Sequence, residues 1–428
     1  MRRGDLHRPV PRGGEDDPRR DSQLARRGRR TEDDVGPLEG LKVIDLARFV
    51  AGPYCAMILA DMGAEVIKVE SGGGDSLRLY PPDLGGTSLN FHVMNRGKKG
   101  LSLDLRKPEG QAILKALVAE ADVLVENFVP GTMEKMGCGW DELRAINPRL
   151  IMSRISGFGQ DGPYAARPCF DSAAQAMSGL MDLTGPADGP PVLMGVFVCD
   201  HVAGLYSTIG VLAALQARER TGQGQMVDIS LLESGASLLM TAIPNQILNG
   251  VTMGRNGARG RTVAPSNAFQ AGDGRWVLIL CGGDDMFARF LKAIDRLELL
   301  EDPRFASNAA RVANLAATEA IVADWCARHD SAEIEAAMGR AGVPSAKIAS
   351  VAEMVDNPQL RHRGFIVEIP QGGGVSLPMQ GPVTRLSETP VTPRGPTPRA
   401  GEHTEAVLES WLGYDPGRIA ELRRDGVV

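Results

Sequence analysis

The sequence predicts an α/β protein: repeated β-α-β units that build a parallel sheet, followed by a smaller α+β domain. Three observations predict it. A β-α-β unit of about thirty residues opens the patterned part of the chain, the same alternation repeats downstream, and the texture changes near residue 260. A chain of 428 residues is also too long for one ordinary core.

The first unit is "LKVIDLARFVAGPYCAMILADMGAEVIKVE", residues 41–70. Leu41 to Leu46 is β-rich and leads into a loop with Gly52-Pro53. An apolar helical pattern then runs from about Tyr54 to Met62, Gly63 stops it, and "AEVIKVE" is the second strand. "GLSLDL" (100–105) reads as a strand, and residues 108–121 as an amphipathic helix opened by Pro108. "DVLVENF" (122–128) and the middle of "PRLIMSRISGFG" (148–159) are further strands. Helical patterns follow from Asp171 to Met181 and from about Asp200 to Ala217.

Beyond residue 260, "SNAFQAGDGRWVLILCGG" reads as two strands joined by a Gly-Asp-Gly turn. Helices are expected near 284–295, 315–328 and 331–341. From about 350 the chain is rich in proline and short strands, and "EHTEAVLESWLG" forms a closing helix. No repeat recurs at solenoid periods.

Composition narrows the function. Apolar content of 43% and charged content of 23% describe an ordinary globular chain, and a net charge of −6 leaves no electrostatic footprint for nucleic acid. No run of eighteen apolar residues appears, so no membrane partner is expected. The 6 cysteines are scattered without a C-x-x-C pair, which argues against a zinc or disulfide framework and for a reducing, cytoplasmic setting. Residues 1–37 mix Arg, Asp, Gly and Pro with almost no large apolar side chains, and are expected to be a disordered extension.

Several motifs fail their structural context. Glu70 ends the second strand where a ribose-binding acid would sit, but "ARFVAGPYC" lacks the glycines of a dinucleotide loop. Gly157-Phe158-Gly159-Gln160-Asp161-Gly162 matches G-x-G-x-x-G, yet Pro163 and Pro168 interrupt the helix that should follow. The 6 histidines show no metal-ligand spacing, and no nucleophile elbow or P-loop is present. "NRGKKG" (95–100) is either a solvated basic turn or a phosphate-contacting edge. In "LTGPADGPPVLMG" (183–195) one carboxylate, Asp188, stands between Gly-Pro turns, where ordinary turn chemistry already accounts for it.

The landmarks "AGPYCAMILADMGAEVIKVE", "NRGKKGLSLDL", "ADVLVENFVPGTMEKMG", "INPRLIMSRISGFGQDGP", "DSAAQAMSGLM", "RTGQGQMVDISLLE" and "GEHTEAVL" occur in one order from about Leu38 to Val428. In this the chain resembles the class III CoA-transferases. The resemblance implies a large Rossmann-like domain with a parallel sheet over 38–228, completed by 360–428. It implies a linker over 229–261, a small α+β domain over 262–345, a return linker with the C-terminal part over 346–428, and an interlocked homodimer. The expected activity moves CoA from an acyl-CoA to a small carboxylic acid, with a CoA thioester as substrate and no permanently bound cofactor or metal.

By the same resemblance Thr184-Gly185-Pro186-Ala187-Asp188-Gly189-Pro190-Pro191 matches T-G-x-x-D-G-x-P, and Asp188 is the expected nucleophile, passing through an anhydride and an aspartyl-CoA thioester. CoA contacts are expected at Val50, Ala51, Leu103, Asp104, Leu105, Arg106, Asn127, Phe128, Val129, Lys135, Ile155, Ser156, Gly157 and Phe158. Val50, Ser71 and Ser156 depart from the formyl-CoA transferase pattern, which points away from formate and oxalate. A related α-methylacyl-CoA racemase would need a histidine before Asp171; Phe170 stands there, although Asp200 matches that enzyme's second acid and His201 adjoins it.

Overall fold

The computed structural model describes residues 35–428, so most of the expected N-terminal extension lies outside the described residues. Six strands form the main sheet: β1 (Lys42–Asp45), β2 (Glu65–Glu70), β3 (Lys99–Ser102), β4 (Val123–Glu126), β5 (Ile151–Ser156) and β6 (Met226–Ser230). Their order is β3-β2-β1-β4-β5-β6, and every neighbouring pair is parallel. That is the doubly wound order, in which the chain reverses direction across the sheet between β1 and β4.

Alternation along the strands fixes what each face buries. Ile44, Ile67 and Leu101 pack on one side against Ile113, Leu114 and Leu117 of helix α2 (Pro108–Glu120). Val43, Val66, Val123 and Ile151 pack on the other against Cys55, Ala56 and Leu59 of α1 (Ala51–Asp61). Both faces are covered, so the strands read as apolar runs. Helix α1 starts at Ala51, before the Gly-Pro expected to be loop. Pro53 lies in the first turn, where its missing N–H breaks no helical hydrogen bond.

Helix α3 (Asp171–Met177) is shorter than expected because Gly179 turns left-handed at φ 87°. The next long helix, α4 (Val198–Thr221), is the one among the described residues long and apolar enough to cross a membrane by length and composition. Here its inner residues Ala203, Ser207, Val211 and Ala214 are buried against the sheet side. Gly204 lets α4 approach α1: a Cβ there would lie 2.8 Å from the Ala51 carbonyl oxygen and 2.9 Å from the Tyr54 ring. Gly204→Val should therefore lower stability by about 1–3 kcal/mol, read from the shift of the urea midpoint at constant slope; an unchanged midpoint would show that the two helices part freely.

The second sheet joins β7 (Ser266–Gln270), β8 (Trp276–Leu280) and β9 (Ser345–Lys347), all antiparallel. Three helices cover it: α5 (Asp284–Ala293), α6 (Leu315–Cys326) and α7 (Ser331–Ala341). Phe269, Val277, Phe287, Phe290, Trp325 and Ile334 form its own core. The chain then returns, and Val407, Leu408 and Trp411 of α8 (Thr404–Leu412) join Ile419 and Leu422 of α9 (Pro416–Arg424) on the α2 face of the main sheet.

The basic segment 95–100 is not a solvated turn as a whole: Lys99 is exposed and pairs with Glu65, but Arg96 and Lys98 are buried and committed to protein partners. Arg96 and Lys98 are 1% and 3% exposed. Arg96 pairs with Asp61 at 2.6 Å. The Lys98 ammonium donates to Asp45 at 2.7 Å, the Pro53 carbonyl at 2.9 Å and Asn95 at 2.8 Å. Lys68, equally buried, lies 3.3 Å from Asp75 and donates to the Ala47 carbonyl. The Asp45 carboxylate also accepts from the Ala47 N–H at 2.9 Å. Burial pushes Lys98 down to about 8, which still leaves it charged at neutral pH. This network clamps both ends of the β1–α1 loop.

Candidate active site

Three adjoining clefts open at the carboxyl ends of the parallel strands, where β1 and β4 part company. The inner cleft, about 300 Å³, is walled by the β1–α1 loop, the turn after β4 and the end of β5. The lower cleft, about 410 Å³, shares Arg48 and Phe128 with it. The outer cleft, about 600 Å³, shares Phe49, Val50, Phe170 and Asp200 with it. A crevice at this switch point is where doubly wound sheets bind ligands.

Local chemistry builds the walls. Arg48 and Asn127 clasp the two loops: the Arg48 N–H donates to the Asn127 side-chain oxygen at 2.8 Å, and the Asn127 amide donates back to the Arg48 carbonyl at 2.7 Å. Buried Glu126 accepts from the Phe128 N–H at 2.7 Å and from Arg154 at 2.7 Å, fixing the turn after β4. Phe49 is held at φ 61°, a left-handed conformation that costs a bulky residue energy and is kept where a loop is over-determined. Helix α1 opens with no side-chain cap, and among the described residues the Ala51 and Gly52 amides donate to no protein acceptor. Such a terminus favours a negatively charged ligand group.

Most of the residues expected to touch CoA meet here. Val50, Ala51, Asn127, Phe128, Val129, Ile155, Ser156 and Gly157 line the inner cleft. Leu103, Asp104, Leu105 and Arg106 line the lower one. Lys135 and Phe158 line none of the three; Phe158 packs edge-on to Tyr164 at 5.8 Å. Arg106 is committed to its neighbour Asp104 through bonds of 2.8 and 2.9 Å, which hold that carboxyl down at about 2. Arg48, overlooked in the sequence, lies over the Phe128 ring and makes no ion pair among the described residues. Glu70 is unavailable to a ribose, since Arg78 grips it at 2.9 and 2.6 Å.

The structure does not bring Asp188 to these residues. It is exposed on a turn closed by the Gly189 N–H donating to the Pro186 carbonyl at 3.1 Å, and it lines none of the three clefts. The carboxylate that stands there is Asp200, in the first turn of α4, on the wall shared by the inner and outer clefts. Asp171 does not cap its own helix, whose N-cap is Phe170. Its carboxylate reaches across to accept from the Cys199 N–H at 2.7 Å and the Asp200 N–H at 3.2 Å, satisfying two of the orphan donors of α4. Gln175 holds the other Asp171 oxygen at 2.5 Å and accepts from the Met194 N–H at 3.0 Å.

Among the described residues the Asp200 carboxylate makes neither ion pair nor hydrogen bond, and burial, with the Asp171 charge behind it, pushes it up to about 7. The folded chain thus keeps the Asp200 proton up to about pH 7, while the unfolded chain releases it near the ordinary 3.8. Between those values the unfolded state binds fewer protons, so this group lowers stability as pH rises. Asp200→Asn should gain in Tm over the unmodified chain between about pH 4 and about pH 7, with the full gain above that; parallel Tm profiles would contradict it.

His201 turns away. Its Nδ1 contacts the Phe197 carbonyl at 2.7 Å and its ring packs on Tyr54 at 4.9 Å. No histidine lines any of the three clefts, so the acid–base partner a racemase would need at Phe170 is not replaced there. No cluster of three or more His, Cys, Asp or Glu that could hold a metal occurs among the described residues. The arrangement offers one unpartnered carboxylate, an uncapped helix terminus and a free guanidinium along a continuous crevice.

A model of CoA-transferase family III matches residues 38–404. The chain is 39% identical over 394 residues to the succinyl-CoA–D-citramalate CoA-transferase of Chloroflexus aurantiacus, covering 92% of this chain and 98% of that one. It is 35% identical over 398 residues to the human succinyl-CoA:glutarate CoA-transferase, covering 92% and 90%. Among solved structures, a CAIB/BAIF family protein from Brucella suis superimposes with a TM-score of 0.80 at 38% identity, covering 88% of this chain and 100% of that one.

Proposed function

The chain belongs to CoA-transferase family III and moves CoA between an acyl-CoA and a carboxylic acid, and we propose that it does so through a covalent intermediate on Asp200. One observation carries the assignment: of the carboxylates lining the three clefts, Asp104 and Asp171 are committed to protein donors, and Asp200 alone is free to attack.

The ionised Asp200 attacks the thioester carbonyl, the C–S bond breaks, and CoA thiolate leaves a mixed anhydride. The thiolate then attacks the Asp200 carbonyl, releasing the first carboxylate and leaving an aspartyl-CoA thioester. An acceptor carboxylate repeats the exchange in reverse and restores Asp200. No net proton, water or electron is consumed. The raised pKa serves this chemistry, because a poorly solvated, more basic carboxylate is the stronger nucleophile once ionised. Arg48 and the α1 amides supply positive potential for the CoA phosphates and for the oxyanion. Double displacement is tested by label exchange: a labelled acid should enter its own acyl-CoA with no second acid present. Absence of that exchange alongside normal net transfer would rule out an enzyme-bound CoA.

The functional unit is a homodimer on this reading. Leu205, Tyr206 and Ile209 on the outer side of α4, with Met240, Ile247 and Leu248 beyond it, leave a broad apolar surface exposed. Light scattering at micromolar concentration should return the mass of two chains; a monodisperse single chain would contradict it.

A further inference from the structure

The Lys98 ammonium joins three parts of the chain behind the inner cleft. It donates to the Asp45 carboxylate at the end of β1, to the Pro53 carbonyl in the first turn of α1, and to the Asn95 side chain. An ammonium has three donors and no acceptor, so all three are used. Every partner belongs to the same chain, and the side chains of Lys98 and Asp45 are 0% exposed. A second chain packed against the outside of this fold leaves that set unchanged.

What Lys98 holds is the segment that meets the ligand. Asp45 fixes its start through the Ala47 N–H, and Pro53 lies just beyond Val50 and Ala51, which line the inner cleft. A neutral amine has two N–H groups and a lone pair. It cannot serve three acceptors, and its lone pair would repel whichever oxygen it faced, so β1 and the start of α1 would part. Burial brings this change within reach by pushing Lys98 down to about 8. The other charged or titratable groups around it are Asp45, Lys68, Asp75, Cys55 and Asp61, the last paired with Arg96. Burial moves the Cys55 thiol the other way, up from its ordinary 9.0.

We propose that Lys98 is a positioning residue for acyl-CoA capture: its ammonium keeps the start of α1 in binding geometry, and loss of its proton releases it. This rests on CoA binding in the inner cleft and holds whichever aspartate carries the intermediate.

The full chain is titrated calorimetrically with desulfo-CoA, which has no thiol to ionise, in buffers of different ionisation enthalpy. The expected Kd rises about fivefold or more from about pH 7 to about pH 9, and binding at the higher pH takes up about half a proton or more. Lys98→Met should bind as weakly at the lower pH as at the higher, with no proton uptake there. Asp45→Leu with Lys98→Met, which leaves no unbalanced charge, gives the same readout if Lys98→Met does not fold. A Kd that is flat with pH, or proton uptake that persists without Lys98, overturns the positioning role while CoA binding stands. Absence of desulfo-CoA binding at either pH overturns the CoA site and the role of Lys98 together.

Discussion

Asp200→Asn lowers CoA transfer by about a thousandfold or more, the scale of losing a covalent nucleophile, while the variant folds normally. The amide keeps the shape of the side chain and removes a charge that is unpartnered in the folded chain, so nothing structural is lost. Asp188→Asn stays within a few-fold of the unmodified rate, because Asp188 is an exposed turn residue outside the clefts. Asp171→Asn falls between them. It retains an oxygen for the Cys199 and Asp200 amides but removes the charge that helps hold Asp200 high, so the rising limb of its kcat/KM profile moves to lower pH. The reverse ranking, with Asp188→Asn inactive and Asp200→Asn active, would transfer the chemistry to the 186–189 turn.

Asp45→Ala costs about 3–5 kcal/mol, the largest stability loss expected of a single residue here. It leaves Lys68 and Lys98 buried with Asp75 as their one remaining counter-ion. It also releases the Ala47 amide, and with it the loop that carries Arg48, Phe49 and Val50 into the clefts. Asp45→Leu combined with Lys98→Met balances the remaining charges and should recover more than half of the loss in urea unfolding. A loss below about 1 kcal/mol for Asp45→Ala would mean that this network does not clamp the loop.

Five of the six strands of the main sheet were legible because they are short apolar runs flanked by helices with clear stops, such as Gly63 after α1. The sixth, Met226–Ser230, is an edge strand with alternate exposure, and its short "MVDIS" hardly differs from a loop next to "TGQGQ". Charges were visible in "NRGKKG", but their partners Asp45 and Asp61 lie more than thirty residues away in sequence, so a buried network looked like a solvated turn. The loops expected to face CoA stood out through their motifs, and most of their residues line two adjoining clefts.

The proposed nucleophile, Asp200, was not legible in the same way. Gly and Pro around Asp188 announce a turn, and a turn stands there, outside the three clefts. The signal for Asp200 was weaker in the sequence: one carboxylate inside the apolar "VFVCDHVAGLY", a pattern that foreshadows desolvation. What no spacing rule conveys is that Gly204 draws α4 against α1, or that Asp171 caps α4 from another helix and sets Asp200 beside Val50.

The most direct test is to incubate the full chain with acyl-CoA and no acceptor acid, quench in acid, digest, and locate the CoA by tandem mass spectrometry. Asp188 and Asp200 fall on one tryptic peptide, from Ile155 to Arg218, so fragment ions must separate them. The added CoA mass is expected on fragments that include Asp200 and not on those that end before Cys199. CoA on the Asp188 fragments, or turnover with no adduct on either, would contradict it.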